Sequence, residues 1–135
     1  MVKLVEMDEK VTFFDQMEDN VDGVVIDIGK FNENSEDVDQ FVKTWASKAG
    51  IIRKQPGFLS LQLHRGIAGR SVFVNYAVWE SIEHLKEAFK NPELKSKTSE
   101  YPASTVASPH LFKKVVDLPI NHFGEEYSNE WKRDI

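Results

Sequence analysis

Hydrophobic and polar positions alternate along the first half of the chain in a way that predicts a strand and then a helix. The β-branched stretch from 24 to 31 has the length of one strand, and Asn32-Glu33-Asn34 ends it. After Ser35, a residue that favours helix starts, apolar residues recur at helical spacing up to Ile52. Pro56-Gly57 ends this first helix.

Two alternating segments, 58 to 64 and 72 to 79, predict a pair of adjacent strands joined by a turn over 65 to 71. If their apolar positions share a face, one side of the sheet carries Leu59, Leu61 and Leu63 with Val72, Val74, Tyr76 and Val78. The other side then carries Phe58, Ser60, Gln62 and His64 with Phe73, Asn75, Ala77 and Trp79. We expect the helices to cover the leucine and valine side.

A second helix is predicted after Ser81, with a restart at Asn91-Pro92-Glu93. Residues 96 to 109 have the composition of a loop, and residues 111 to 118 predict a last strand. The order β-α-β-β-α-β predicts an α+β, ferredoxin-like fold, in which a four-stranded antiparallel sheet carries both helices on one face. The expected division is an N-terminal arm over 1–22, this domain over 23–118 and a C-terminal extension over 119–135.

The two ends of the chain have distinct compositions. Residues 1–22 contain two lysines and seven acidic residues, which predicts a loosely held, solubilising arm, with docking to a basic protein as the alternative. Phe123, Tyr127 and Trp131 are four residues apart, which predicts an aromatic side of a helix. We expect that helix to pack on its own subunit; reaching across a dimer and capping the barrel mouth are the alternatives.

Composition indicates a single globular domain, since the 135 residues are 41% hydrophobic and 29% charged. The absence of cysteine excludes disulfides and thiolate ligands and fits a reducing compartment. No apolar stretch approaches the roughly 20 residues that cross a bilayer, and the first residues hold no secretory core, so we expect a cytoplasmic protein without membrane association. The basic residues form no stripe, so nucleic acid is not an expected partner.

Helices on one face would leave the other face of the sheet bare, with Phe58, Phe73 and Trp79 beside polar groups. An exposed apolar face of this kind must be covered. The economical cover is a second copy of the sheet, packed about a two-fold axis. The sequence therefore predicts a homodimer through the open sheet face, with a cavity lined by Ser60, Gln62, His64, Asn75 and Trp79.

The pair with most chemical interest is His64 and Asn75, which are predicted to face the same space from adjacent strands. A histidine and an amide placed in this way can bind the proton and the oxygen of a polar ligand. The alternative is a structural hydrogen-bond network between the two. Trp79 could stack on an aromatic ligand or simply belong to the core of the sheet.

Three segments carry a family resemblance: Gln55-Pro56-Gly57-Phe58-Leu59-Ser60 followed by His64, Asn75-Tyr76-Ala77-Val78-Trp79-Glu80-Ser81, and Ala107-Ser108-Pro109-His110-Leu111-Phe112. They resemble the antibiotic biosynthesis monooxygenase (ABM) superfamily of dimeric α+β barrels, closest to its cofactor-independent, actinorhodin-pathway type. The resemblance implies that His64, Asn75 and Trp79 are catalytic, and the sheet face that they share predicts that Phe58, Ser60, Gln62 and Phe73 contact substrate. It would place an inward tyrosine at Leu85, so Tyr101 is the phenol expected to substitute.

The resemblance implies a monooxygenase that oxidises an aromatic phenol, quinol or polyketide-like compound with O₂, without cofactor or metal. A phenolate can pass an electron to O₂, so the protein need only deprotonate, orient and desolvate it. His64 is the expected base, Asn75 would stabilise the oxyanion, and Trp79 would hold the ring. The alternative is a non-catalytic, small-ligand-binding or stress-related dimer. Haem degradation is not expected, because Ala88 and Thr98 replace the tryptophan and haem-ligating histidine of that branch.

Overall fold

A computed structural model describes residues 2–118 as one sheet with helices packed on it. The strands are β1 (Lys3–Leu4), β2 (Val25–Asn32), β3 (Phe58–Arg65), β4 (Val72–Trp79) and β5 (Val106–Phe112). The helices are α1 (Phe13–Gln16), α2 (Val38–Ile52), α3 (Ile82–Phe89) and α4 (Pro92–Thr98). The predicted α+β, ferredoxin-like class is confirmed, although the sheet has five strands in the order β1-β5-β2-β4-β3 and not four.

The helix starts predicted at Ser81 and Asn91 are present with side-chain caps, whereas the helix predicted after Ser35 begins without one. The Ser81 hydroxyl accepts a hydrogen bond from the His84 backbone N–H (3.1 Å) at the start of α3. The Asn91 side chain accepts one from the Glu93 N–H (2.8 Å), with Pro92 at the first position of α4. A single 3₁₀ turn over Ser35–Asp37 leads into α2.

The last strand begins earlier than predicted, inside the segment that we expected to be a loop. Antiparallel pairing with β2 covers Val106 to Phe112, and Gly29 pairs with Pro109. Ala107 and Leu111, two residues before and two residues after Pro109, bond through their backbone to Val5 and Gln16 and not to β2. Alternate residues of a strand direct their backbone groups to the same side, so Pro109 is tolerated here. The Pro109 nitrogen therefore lies on the unpaired edge of β5, where a missing N–H breaks no ladder bond.

The N-terminal segment is not the loosely held arm that its charge predicts. Lys3 and Leu4 pair in parallel with β5. Phe13 is 3% exposed and Met17 is 7% exposed, and both belong to the main core cluster. The Gln16 side chain accepts a hydrogen bond from the Leu111 N–H (2.8 Å) and donates one to the Leu111 carbonyl (3.0 Å), so it extends the sheet as a strand would.

The predicted grouping of side chains on β3 and β4 is wrong because β3 contains a bulge. Phe58 pairs with Trp79, but the register shifts before Ser60, which pairs with Val78. One extra residue exchanges the two faces for the rest of the strand. Leu61 and Leu63 consequently lie on the face of Ala77 and Asn75, whereas Ser60, Gln62 and His64 lie on the face of Val78, Tyr76 and Val74.

The helices cover the side of β4 that we expected to be open. Phe73, Ala77 and Trp79 are buried in the core, while Val74 and Val78 are only partly buried. One core cluster surrounds Trp79 and includes Leu85 of α3, and a second joins Phe41 of α2 to Phe73 and Tyr101. The uncovered face carries the valines, not Phe73 and Trp79.

The predicted aromatic helix at Phe123, Tyr127 and Trp131 lies outside the described residues. Within residues 2–118, none of the helices has the length and apolar character needed to span a bilayer.

Replacement of Gln16 tests whether the N-terminal segment stabilises the sheet. We expect Gln16→Ala to lower the free energy of unfolding by about 1–3 kcal/mol, because the Leu111 N–H and carbonyl both lose their partner. The measurement is urea unfolding followed by circular dichroism. Asn20→Ala, which truncates an exposed amide in the same segment, is the control, and equal stability of the two variants would contradict the docking.

Candidate functional site

A cavity of about 230 Å³ lies between the helix-covered face of the sheet and the helices. Its walls include β2, β4, β5, α2 and the N-terminal residues Val2 and Leu4. Most of the lining is apolar, and the side chains that bring polar atoms to it are those of Asp27, Trp45, Lys48, Asn75, Thr98 and Tyr101. We call this space the inner cavity.

The sheet wall of the inner cavity is set by the pairing of β2 with β4. Gly29 pairs with Asn75, and Asp27 lies two residues along β2 on the same face. Gly29 has no side chain, and a Cβ at this position would approach the Phe31 ring to 3.5 Å and the Asn75 Cβ to 3.8 Å. The glycine therefore leaves space between the Asn75 side chain and the Asp27 side chain.

The Asn75 side chain is held in place by a helix residue. The Trp45 Nε1–H of α2 donates a hydrogen bond to the Asn75 Oδ1 at 2.8 Å. Because the oxygen is used in this way, the Asn75 Nδ2 group points its N–H donors elsewhere, and within residues 2–118 they have no protein acceptor. Those donors are available to an oxygen atom of a ligand.

Asp27 is a carboxyl on the helix-covered face of the central strand, where it is 9% exposed. Burial raises the pKa of Asp27 from 3.8 to about 7, and the positive charge of Lys48 opposes that rise. Among the described residues it has no ion pair and no hydrogen-bond donor to its side chain. The inner cavity thus contains a carboxyl that exchanges protons near neutral pH.

Lys48 reaches the inner cavity from α2, opposite the sheet. Burial lowers the pKa of Lys48 from 10.5 to about 8, and the negative charge of Asp27 opposes that decrease. The Lys48 Nζ lies 5.1 Å from the centroid of the Tyr101 ring, in a cation–π contact. A cation and a carboxyl therefore face the same small space.

Tyr101 forms an aromatic wall of the inner cavity. It is 6% exposed and stacks on Phe41 with ring centroids 5.3 Å apart. Burial raises the pKa of Tyr101 further above its ordinary value of 10, and the nearby Glu33 adds to the rise. The Tyr101 phenol is therefore a neutral group at physiological pH. Leu85, where the resemblance would place a tyrosine, is fully buried in the other core cluster.

Among the residues predicted to form the site, the structure brings only Asn75 and Tyr101 to the inner cavity. Trp79 is 1% exposed and packs edge-on against Phe58, with ring centroids 5.8 Å apart. Phe73 packs against Phe41. Phe58, Phe73 and Trp79 therefore belong to the core of the domain. For Trp79, a place in the core was the alternative to stacking on a ligand.

The strand residues Ser60, Gln62 and His64 lie on the opposite face of the sheet, so their predicted shared pocket with Asn75 and Trp79 is wrong. The bulge in β3 separates them, since His64 pairs with Val74 and not with a residue of the helix-covered face. His64 is exposed, and its Nε2 lies 3.1 Å from the Gln62 Oε1. The sheet stands between this imidazole and the inner cavity.

Three residues of the inner cavity, Asp27, Trp45 and Lys48, were missed from the sequence. A signal exists for two of them. Asp27 alternates with Val25, which puts a charge on an inward position of a buried strand. Lys48 follows Trp45 by three residues and precedes Ile52 by four, so it falls on the apolar stripe of α2. An ionisable residue inside a hydrophobic pattern marks such positions.

In the part of the chain that the structure describes, no group of three or more His, Asp or Glu side chains is arranged to hold a metal ion. The polar atoms of the inner cavity are suited to an organic ligand with an exchangeable proton. A half-enclosed, mostly apolar space with a few converging polar groups is typical of small-molecule sites.

The family model for antibiotic biosynthesis monooxygenase matches residues 25–96, more than half of the chain. The protein belongs to this ABM family, and the resemblance seen in the sequence is confirmed.

Solved structures share the fold. SnoaB, a cofactor-independent oxygenase from Streptomyces nogalater, superposes with a TM-score of 0.68 at 23% identity, over 73% of this chain and 99% of that chain. A candidate antibiotic biosynthesis monooxygenase from Caulobacter crescentus gives 0.65 at 16% identity, over 70% and 92%. A candidate monooxygenase from Shewanella loihica gives 0.60 at 21% identity, over 73% and 100%. At these identities the comparison establishes the fold. Curated protein sequences gave no significant match.

Asp27→Asn tests the buried carboxyl through the pH dependence of stability. Between pH 3.8 and about 7 the folded chain holds a proton on Asp27 that the unfolded chain releases, so this carboxyl lowers stability as pH rises. We expect the free energy of unfolding of the variant, relative to the unchanged chain, to rise between pH 4 and pH 8 by an amount on the order of a few kcal/mol.

Denaturant unfolding at several pH values measures this difference. Asp39→Asn removes an exposed carboxylate from α2 and is the control. A flat difference for Asp27→Asn would show that the Asp27 carboxyl ionises normally.

Proposed function

We propose that the protein binds an aromatic hydroxy compound in the inner cavity and oxidises it with O₂ without a cofactor. The observation that carries this proposal is the proximity of an Asp27 carboxyl that titrates near neutral pH and a held Asn75 amide in one aromatic-walled space. A phenol needs these two partners, one to take its proton and one to stabilise the oxygen that remains. Membership of the ABM family supports the same chemistry.

In this proposal Asp27 is the proton acceptor, in place of His64. A phenol has a pKa of ~10, so transfer to a carboxylate with a pKa of about 7 is uphill by roughly 4 kcal/mol. Hydrogen bonds from the Asn75 Nδ2 group to the phenolate oxygen, and the nearby charge of Lys48, reduce that cost. The inner cavity can thereby hold a small fraction of the ligand as its reactive anion.

The anion supplies the electrons for the oxidation. For an anthrone, the proton that is lost is the hydroxyl proton of its phenolic tautomer, in which the CH₂ group has already given one hydrogen to the ring carbonyl. The resulting anion passes an electron to O₂, and the two radicals combine at that ring carbon to give, after protonation, a hydroperoxide on a CH group. Loss of water then breaks the O–O bond and the remaining C–H bond and leaves a C=O group. One oxygen atom enters the product, the other leaves as water with both hydrogens, and the four electrons that reduce O₂ all come from the substrate.

O₂ uptake tests the function directly. The purified protein, desalted after treatment with a chelator, is mixed with naphthols, quinols and anthrones in an oxygen electrode. We expect turnover with at least one compound and a loss of tenfold or more in kcat/KM for both Asp27→Asn and Asn75→Ala, because each removes a partner of the phenol oxygen or its proton. His64→Ala is the control and should keep its activity, since the sheet separates His64 from the inner cavity.

The outcomes separate three interpretations. Compounds that bind without any O₂ uptake would make the protein a non-catalytic ligand-binding member of the family. Activity lost in His64→Ala but kept in Asp27→Asn would return the role of base to His64. Circular dichroism of each variant excludes loss of the fold as the cause.

We also propose that two copies of the chain pair through the uncovered face of the sheet. Ile26, Ile28, Val74, Tyr76 and Val78 on this face are only partly buried within the protomer. Such a continuous apolar surface is typical of a subunit interface. Because the inner cavity lies on the other side of the sheet, each protomer of the dimer would hold its own complete site.

Val74→Glu tests the dimer, because the charge would lie in the middle of the proposed interface. We expect the unchanged chain to sediment at twice its own mass and the variant to sediment at the mass of one chain. Ile67→Glu, at an 89% exposed position in the turn between β3 and β4, is the control and should remain dimeric. A monomeric unchanged chain would contradict the proposal.

A further inference from the structure

A second depression, of about 570 Å³, adjoins the inner cavity at the protein surface. It is lined by Phe14, Lys48, Ile52, Phe89, Leu94, Lys95 and Thr98. We call it the outer groove. Lys48, Ile52, Phe89 and Thr98 line both spaces, so the outer groove and the inner cavity meet at these four residues.

The outer groove combines apolar walls with positive charge. Phe14 is exposed, and Phe89 of α3 is partly so. The charged residues of the lining are Lys48 and Lys95, and in the part of the chain described no acidic side chain lines the groove. Neither lysine has a carboxylate within 4 Å among residues 2–118. A surface with these properties suits a flat apolar molecule that carries a negative charge.

The size of the inner cavity limits what it can enclose. Pockets that bury drug-sized ligands span roughly 300–1,000 Å³, and the inner cavity, with about 230 Å³, is below that range. It can enclose one or two rings with a hydroxyl group. A larger substrate must extend through the junction at Lys48 into the outer groove.

We propose that the substrate carries a carboxylate in addition to its aromatic hydroxyl, and that Lys48 binds this carboxylate at the junction of the inner cavity and the outer groove. This inference rests on the proposed function, since it adds a second recognition point to the same ligand. The Lys48 Nζ lies above the Tyr101 ring and within reach of both spaces, with its N–H donors directed at no protein carboxylate within 4 Å. Lys95 adds attraction from the rim.

Two probes with the same ring system test the inference: 2-naphthol and 6-hydroxy-2-naphthoic acid, which differ only by a carboxylate. Their dissociation constants are measured by titration calorimetry at pH 6.5 on the full chain. We expect the carboxylate probe to bind about tenfold more tightly, the effect of one charge-assisted hydrogen bond at a partly buried site.

Variants of Lys48 test whether this residue causes the tighter binding of the carboxylate probe. Lys48→Met should bring the two dissociation constants within about twofold of each other. Lys48→Arg, which keeps the charge, should retain the preference. Lys43→Met makes the same change at an exposed position of α2 that lines neither space, and it should behave as the unchanged chain does.

Several results would overturn the inference. Equal affinity of the unchanged chain for both probes would do so, and so would a loss of preference in Lys43→Met, which would indicate only general charge attraction. If Lys48→Met weakens both probes equally, Lys48 serves as a counter-ion of Asp27 and not in recognition. If neither probe binds, carboxylate recognition is wrong, and O₂ uptake with the other compounds decides the oxidation separately.

The same proteins distinguish the two proposals from one another. O₂ uptake with equal affinity for the two probes would contradict carboxylate recognition and keep the oxidation. A Lys48-dependent preference without O₂ uptake by any compound would keep the recognition and contradict the oxidation.

Discussion

The register of the three strands β2, β4 and β3 is the constraint on which the site depends. Side chains of a strand alternate between its two faces, so pairing Gly29 with Asn75 puts Asp27 and Asn75 beneath the helices together. The bulge in β3 adds one residue, which reverses the alternation for the rest of the strand and places His64 on the uncovered face. Both the inner cavity and the uncovered apolar face follow from this register, and a shift of one residue would exchange them.

Asp27 is an ionisable residue in a buried position, where carboxyl groups are rare. A buried carboxyl lowers the stability of the fold unless it is paired, and here the compensation is partial: the charge of Lys48 opposes the effect of burial without cancelling it. Groups of this kind are typical of functional sites, where an ionisable side chain is held in a state that water would not favour. The apolar contacts of Trp79, Phe41 and Leu85 stabilise the rest of the domain around it.

The family, the fold class and most elements could be predicted from the sequence, because caps such as Ser81 and alternation along β4 act locally. The side-chain faces could not, because Phe58, Leu59 and Ser60 continue the alternation of β3 and nothing in that pattern indicates a bulge. The position of β5 was predicted wrongly because proline is common in loops. Whether a strand tolerates Pro109 depends on which edge of the sheet is free, and the sequence does not show that. Asn75 was predicted from the family pattern, and Tyr101 from the search for a phenol to replace the family's tyrosine. Asp27 and Lys48 were not predicted, because only tertiary packing brings these two residues together.

The two residues of β1 pair with Val106 and Ala107, so this segment has no strand partner until almost the whole domain has been made. Closing a chain loop of this length costs more entropy than forming the β3–β4 hairpin, and we expect the β1–β5 pairing to be a late event in folding. Val2 and Leu4 belong to the wall of the inner cavity. The domain can therefore acquire most of its core while the cavity is still open on one side, and its capacity to enclose a ligand is completed only when the segment that precedes the rest of the domain pairs with β5.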